Sequence, residues 1–164
     1  MHTMTEHASN LSQLSEGESS GFRTITSRFG EVTLDTRKVI NFSRGLLGMP
    51  QFSQFVLAEF PSEKMAQFKL LQCLDNTELS FITLPVEIEN PIITKDDIFQ
   101  ACQALSISVN DLALLFVVSV YRSPGQVRIT VNARAPLFID AEKMWGVQHV
   151  FPHSRYKVQH VIKE

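Results

Sequence analysis

Three histidines near the C-terminus, His149, His153 and His160, follow two carboxylates, Asp140 and Glu142. Imidazole and carboxylate are the donors of zinc and other first-row metal sites, so a metal centre is the sharp chemical reading. The spacing argues against it. A strand followed by a loop does not put these histidines on one face, as an i, i+4 pair on a helix would, and surface or internally satisfied histidines are the preferred reading. Glu87 and Glu89 offer a second chemistry. On a strand they project from one face, and paired carboxylates can do acid–base work. The preferred role is a charged edge strand that resists unwanted pairing. Cys73 and Cys102 lie far apart in apolar contexts and read as buried free thiols in a reducing compartment. No Gly-x-Ser-x-Gly elbow, His-Glu-x-x-His pair or phosphate-binding glycine loop is present. No catalytic residue, metal or cofactor is assigned, and a binding protein is favoured over an enzyme.

Any such residues must be positioned by β structure. The most informative stretch is Val39 to Phe60, where two β-prone segments flank Ser43-Arg44-Gly45-Leu46-Leu47-Gly48-Met49-Pro50. A solvated loop would not normally carry Leu46, Leu47 and Met49, so the loop is expected to fold back and plug one end of a sheet structure. Gly45 and Gly48 supply backbone angles closed to other residues, and Pro50 stops a ladder. An ordinary hairpin connection with two stray leucines is the plainer alternative.

The chain has 164 residues, with 15 Lys and Arg against 17 Asp and Glu, for a formal net charge of −2. That length suits one domain able to bury a core without staples. The charge gives no basic field to hold nucleic acid. No window approaches a membrane-spanning helix, and the N-terminus lacks a secretory pattern, so a cytoplasmic location is expected. Residues 1–21 are rich in Ser, Glu, His and Thr, with Leu11 and Leu14 as the large aliphatics, and read as a disordered tail. Leu11 and Leu14 could form one turn of a docking helix.

Residues 22–164 form the expected domain. Phe29 to Asp35 alternates after Gly30 and reads as a strand, with Val39 to Phe42 as its partner across a turn. Phe55 to Phe60 is a third strand. Phe68 to Leu74 and Leu79 to Leu84 form a hairpin closed before Pro85. Thr94 caps a helix over about 94–105, with Asp96 and Asp97 at its positive end and Ile98, Cys102 and Leu105 facing inward. Leu112 to Tyr121 reads as a strand buried on both faces, paired antiparallel with Gln126 to Ala133. The residues from Tyr156 onward can dock along an edge. The sum is mainly β: a small antiparallel barrel-like domain with one inserted helix.

Several segments together resemble the flagellar assembly factor FliW family: Arg28-Phe29-Gly30-Glu31-Val32, Phe42 to Phe52 with its Gly-Leu-Leu-Gly-Met-Pro core, and Leu71-Gln72-Cys73-Leu74-Asp75 leading to Leu79-Ser80-Phe81-Ile82. Val131 to Ile139 is similar to the family's Asn-x-x-Ala-Pro strand, and Ser154 to His160 to its tyrosine-containing close. The family's Asp-Pro-aromatic step is Leu84-Pro85-Val86 here. The resemblance implies a non-enzymatic protein with two protein partners. One is the translational regulator CsrA, whose repression of flagellin mRNA it relieves; the other is flagellin, bound in a chaperone-like way. It implies no direct nucleic acid, no membrane, no cofactor, and a monomer when unbound. The candidate partner-binding residues are Glu87, Glu89, Asp96 and Asp97, the densest acidic stretch, with Arg44, Leu46 and Leu47. Gly30, Gly45, Gly48, Asn132 and Pro136 are expected to be structural. A small-ligand-binding barrel is the alternative and requires an open apolar interior. A hydrolase or metal enzyme is the third.

Overall fold

The computed structural model describes residues 21–152 and 155–164. The expected tail therefore lies, except for Gly21, outside the described residues, as does His153.

The chain begins with a hairpin of β1 (Phe22–Ser27) and β2 (Gly30–Asp35). Ile25, Val32 and Leu34 point inward at period two and pack on Val56, Ala58 and Leu70. The Ser27 hydroxyl donates to the Gly30 carbonyl at 2.8 Å and accepts the Phe29 N–H at 3.1 Å, closing a turn in which Gly30 has φ +117°. This corrects one pairing. β2 pairs with β1, not with the segment after Lys38, because Phe22–Ser27 itself alternates and lies closer in sequence.

β3 is only Ile40–Asn41 and pairs with β4 (Gln54–Glu59). From there the ladder runs through β5 (Lys69–Cys73) and β6 (Ser80–Val86) to β7 (Leu112–Ser123). β7 continues through residues Leu112 to Leu115 onto β9 (Leu137–Asp140), β9 onto β10 (Trp145–Gln148), and β10 back onto β3. Seven strands thus close a ring, antiparallel throughout except where Trp145 of β10 meets Asn41 of β3. β8 (Gln126–Val131) pairs with the outer half of β7, and β11 (His160–Lys163) pairs with β8. The C-terminal residues dock along an edge as a strand.

Two expectations shift. β6 runs through Pro85, which sits opposite Leu115. β5 has ended by then, its last partner being Thr83, so one side of β6 is already an edge that tolerates a missing donor. β7 is buried on consecutive residues only at Leu114, Leu115 and Phe116, inside the ring. Beyond Val118 it leaves the ring for the β8 flap and turns one face to solvent.

The helix α1 (Lys95–Leu105) forms where the sequence places it. Thr94 Oγ1 accepts the Asp97 N–H at 3.3 Å, and Ser106, at φ 58°, closes the C-terminus through bonds to the Cys102 and Gln103 carbonyls. Ile98, Ala101 and Cys102 pack with Phe68, Phe116 and Phe138. A second cluster, on Phe42, Phe55, Leu71 and Leu137, includes Leu46 from the Gly-rich loop. Each fully buried Phe removes enough apolar surface from water to contribute about 1.5–3 kcal/mol. The ring is filled by these side chains, so the premise of a ligand-holding barrel, an open apolar interior, does not hold.

Candidate functional site

The acidic stretch sits where β6 hands over to α1. Glu87 and Glu89 lie in a bend after the last residue of β6, not on a strand, and the edge-strand reading is corrected on that ground. The bend is held by Asn90. Its Nδ2 donates to the Glu87 carbonyl at 3.0 Å, and its Oδ1 accepts the N–H groups of Ile92 and Ile93, each at 2.9 Å. Both glutamates and Asp96 are exposed. Lys95 Nζ reaches Glu89 Oε1 at 3.0 Å and lies 5.7 Å from the centroid of the Phe99 ring. Ile88 and Phe99 form an apolar floor between these charges, and Phe99 is a large apolar side chain left in the open.

Asp97 is different. Its carboxylate takes a hydrogen bond from Arg155 Nη1 at 2.8 Å and another from the Tyr156 hydroxyl. Tyr156 also accepts the Thr94 N–H at 3.1 Å. Asp97 therefore clasps the start of α1 to the C-terminal segment and is mostly withdrawn from a partner. The acids left exposed here are Glu87, Glu89 and Asp96.

The Gly-rich loop makes the second surface. Gly45 has φ +64°, and a Cβ there would collide with the Met49 carbonyl and Pro50. Gly48, at φ +81°, faces open space. The two leucines separate: Leu46 is 4% exposed and Leu47 is 55% exposed. Leu46 thus packs into the core with Phe42 and Phe55, while Leu47 faces outward. The Leu47 N–H is held by Gln148 Oε1 at 2.9 Å, and Gln148 Nε2 donates to the Ala135 carbonyl at 3.0 Å. Leu47, Arg44 and Val147 border a shallow cleft of about 340 Å³. A neighbouring cleft of about 260 Å³ brings in Trp145 and the C-terminal end of α1 at Ala104 and Leu105. The acidic bend and the loop surface thus lie at opposite ends of an 11-residue helix, about 16 Å long at 1.5 Å per residue.

The remaining candidates are structural in geometry. Asn132 Oδ1 accepts the Ala135 N–H at 3.0 Å, and the Pro136 carbonyl accepts the His149 N–H at 3.0 Å, so this motif joins β8 to β9. Asp140 is buried, with Oδ1 bound to the N–H groups of Glu142 and Lys143. The His149 ring packs edge-on against Phe138 and Phe151, with centroids 5.5 and 4.9 Å away, and burial pushes its pKa down. Among the described residues no three His, Cys, Asp or Glu side chains converge on a possible ion. Cys73 and Cys102 are free and buried, and burial raises both thiols.

The family model for FliW protein matches residues 23–162. The chain belongs to the FliW family. The flagellar assembly factor FliW of Geotalea uraniireducens (strain Rf4) is 32% identical over 139 residues, covering 84% of this chain and 82% of the relative. That of Thermoanaerobacter pseudethanolicus is 29% identical over 140 residues, covering 85% and 91%. A crystal structure of the flagellar assembly factor FliW superposes with a TM-score of 0.64 at 22% identity, over 87% of this chain and 98% of the other, and shows the shared fold. The relatives are named for assembly, not for a reaction.

Within this FliW-family chain, sequence reasoning missed Gln148, Gln72 and the Asp97–Tyr156 clasp. Gln72 is fully buried, and its two Nε2 hydrogens are shared among the Cys73, Thr77 and Leu79 carbonyls, each within 3.2 Å, shaping the β5–β6 turn. A glutamine in an alternating segment gives no sign of which carbonyls it will meet.

Proposed function

We propose that this chain works by contact alone, binding CsrA to relieve its repression of flagellin mRNA translation and binding flagellin as a chaperone-like partner. It does so in the cytoplasm, as a monomer when unbound. The observation that carries the reading is the surface at the start of α1, where Glu87, Glu89 and the Glu89-paired Lys95 border a floor of half-buried Ile88 and exposed Phe99, and Asp96 is exposed on the first helical turn. A regulator that binds RNA must present cations, and a partner with carboxylates around an apolar floor complements a basic rim with apolar contacts inside it. Negative charge set beside a basic groove also raises the cost of bringing in phosphates. At a net charge of −2 the long-range field is modest, so direct contact dominates. The loop surface of Leu47, Arg44, Trp145 and Val147, lined without a carboxylate, is assigned to flagellin.

The test is charge reversal, Glu87→Lys with Glu89→Lys, read by titration against purified CsrA. Two exposed charge contacts inverted together should weaken CsrA binding about tenfold and flatten its salt dependence. Leu47→Ser should leave CsrA binding intact and weaken flagellin binding. Unchanged CsrA affinity in the charge-reversed protein would remove the acidic surface from the account.

A further inference from the structure

β6 and β7 are neighbours, yet their pairing covers only part of each strand. The register runs from Val86 opposite Leu114 to Thr83 opposite Val117 and ends there. Past that point β6 still reaches back to Ser80, paired with β5, and β7 runs on to Ser123, paired with β8. The two strands therefore part, and their facing edges border a cleft of about 600 Å³. The cleft meets both strands edge-on. Its lining takes in the consecutive residues Phe81 and Ile82 of β6, and Val118, Ser119 and Val120 of β7. Successive side chains leave a strand on opposite faces, so a cleft on one face would touch only alternate residues. The Val117 carbonyl accepts the N–H of Asn132, the residue after β8, at 2.9 Å. Backbone groups alternate in direction along an antiparallel strand, so Val118, Val120 and Arg122 turn theirs away from β8, toward the cleft. The Leu79 carbonyl accepts the Cys73 N–H of β5 at 3.0 Å, so Ser80 and Ile82 turn theirs to the cleft from the other wall. There Arg28 Nη2 takes the Ser80 carbonyl at 2.7 Å. Val120 and Arg122 remain as a short open strand edge. The rest of the lining sets the chemistry. Phe29 and Phe60, with ring centroids 5.3 Å apart, and Met65 form an apolar wall; Arg28 lies over the Phe29 ring at 4.6 Å. Arg28 and Arg122 are exposed, and no carboxylate is among the described lining residues.

We propose that this cleft takes an extended, acidic segment of a partner protein, added as a strand along Val120 and Arg122 of β7. Apolar side chains of the segment lie on the Phe29–Phe60 wall, and its carboxylates meet Arg28 and Arg122. Main-chain bonds hold such a segment in register, and the two guanidinium groups select acidic over basic sequence. The lining shares no residue with the acidic bend or the Leu47 loop. The test is amide NMR and hydrogen exchange on the full chain, with a short capped peptide of alternating valine and threonine carrying glutamate at both ends. It uses neither CsrA nor flagellin, so its failure leaves the assignments of those two surfaces standing. In the free chain the Ser119 and Tyr121 amides, which face β8, should exchange slowly and those of Val120 and Arg122 quickly. Peptide at millimolar concentration should shift the Val120 and Arg122 amides and slow their exchange about tenfold. The same peptide with lysine for glutamate, and one N-methylated throughout and so unable to donate to β7, should each bind about tenfold more weakly. Arg28→Glu combined with Arg122→Glu should turn the preference toward the lysine peptide. Slow exchange of Val120 and Arg122 in the free chain overturns the proposal, as do shifts that are absent or centred elsewhere. Equal binding of the lysine or the N-methylated peptide also overturns it. Shifts of these amides that grow with protein concentration alone show that a second copy takes the edge, and overturn it too.

Discussion

At Gly45 the backbone needs a positive φ and a missing Cβ at once, because the Met49 carbonyl and Pro50 fill the space a side chain would take. At Gly48 only the angle matters. Gly45→Ala should therefore cost about 2–3 kcal/mol and Gly48→Ala about 1 kcal/mol, read from the denaturation midpoint at constant slope. Equal costs would show that the loop is not packed as described. His149 gives a pH test. Burial lowers its folded pKa below the ordinary 6.5, so the neutral ring is favoured in the fold. Its stabilising contribution is fully present above about pH 6.5 and is lost as pH falls through that value toward the folded pKa. His149→Phe should flatten the fall in stability below about pH 6.5 relative to the parent chain; parallel curves would contradict this. At this scale the sequence showed the glycines well, since Gly and Pro in an apolar run have few other uses. It could not separate Leu46 from Leu47, because which of two adjacent leucines points inward depends on the turn angle at Gly45.

The helix α1 owes its placement to its ends. Thr94 caps it, Asp97 is shared with Arg155 and Tyr156, and Tyr156 returns a bond to the Thr94 N–H. Tyr156→Phe removes both partners of the hydroxyl and should cost about 1–3 kcal/mol. It should also speed amide exchange across the first turn of α1 while leaving β4 and β5 protected. Uniform exchange changes would mean that the clasp is not local. The helix, the β5–β6 hairpin and the β7–β8 pair were legible because their periodicity and caps are local signals. The closure of the ring was not. It depends on β7 pairing with β6 and β9 together, and on the two-residue β3 meeting β10, contacts far apart in sequence. β1 was missed as a separate strand, and with it the true partner of β2. Glu87 and Glu89 alternate like a strand, yet Asn90 turns that segment into a bend.

Across the whole molecule, a filled β ring holds two unlike surfaces at the ends of one helix, acidic at the start and lined without a carboxylate at the finish. Separation by about 16 Å means that mutations at one end should combine additively with those at the other. A Glu87→Lys, Glu89→Lys and Leu47→Ser triple variant should lose CsrA and flagellin binding by the sum of the separate losses, measured by calorimetry. Strong coupling would instead place both partners on one shared surface. The central claim, regulation by partner exchange without chemistry, is tested most directly by the fluorescence anisotropy of a labelled flagellin leader RNA bound to CsrA. Adding this protein should lower the anisotropy as RNA is released, and adding flagellin should then restore it. Anisotropy that stays high at saturating protein, or stays low after flagellin is added, would contradict the account.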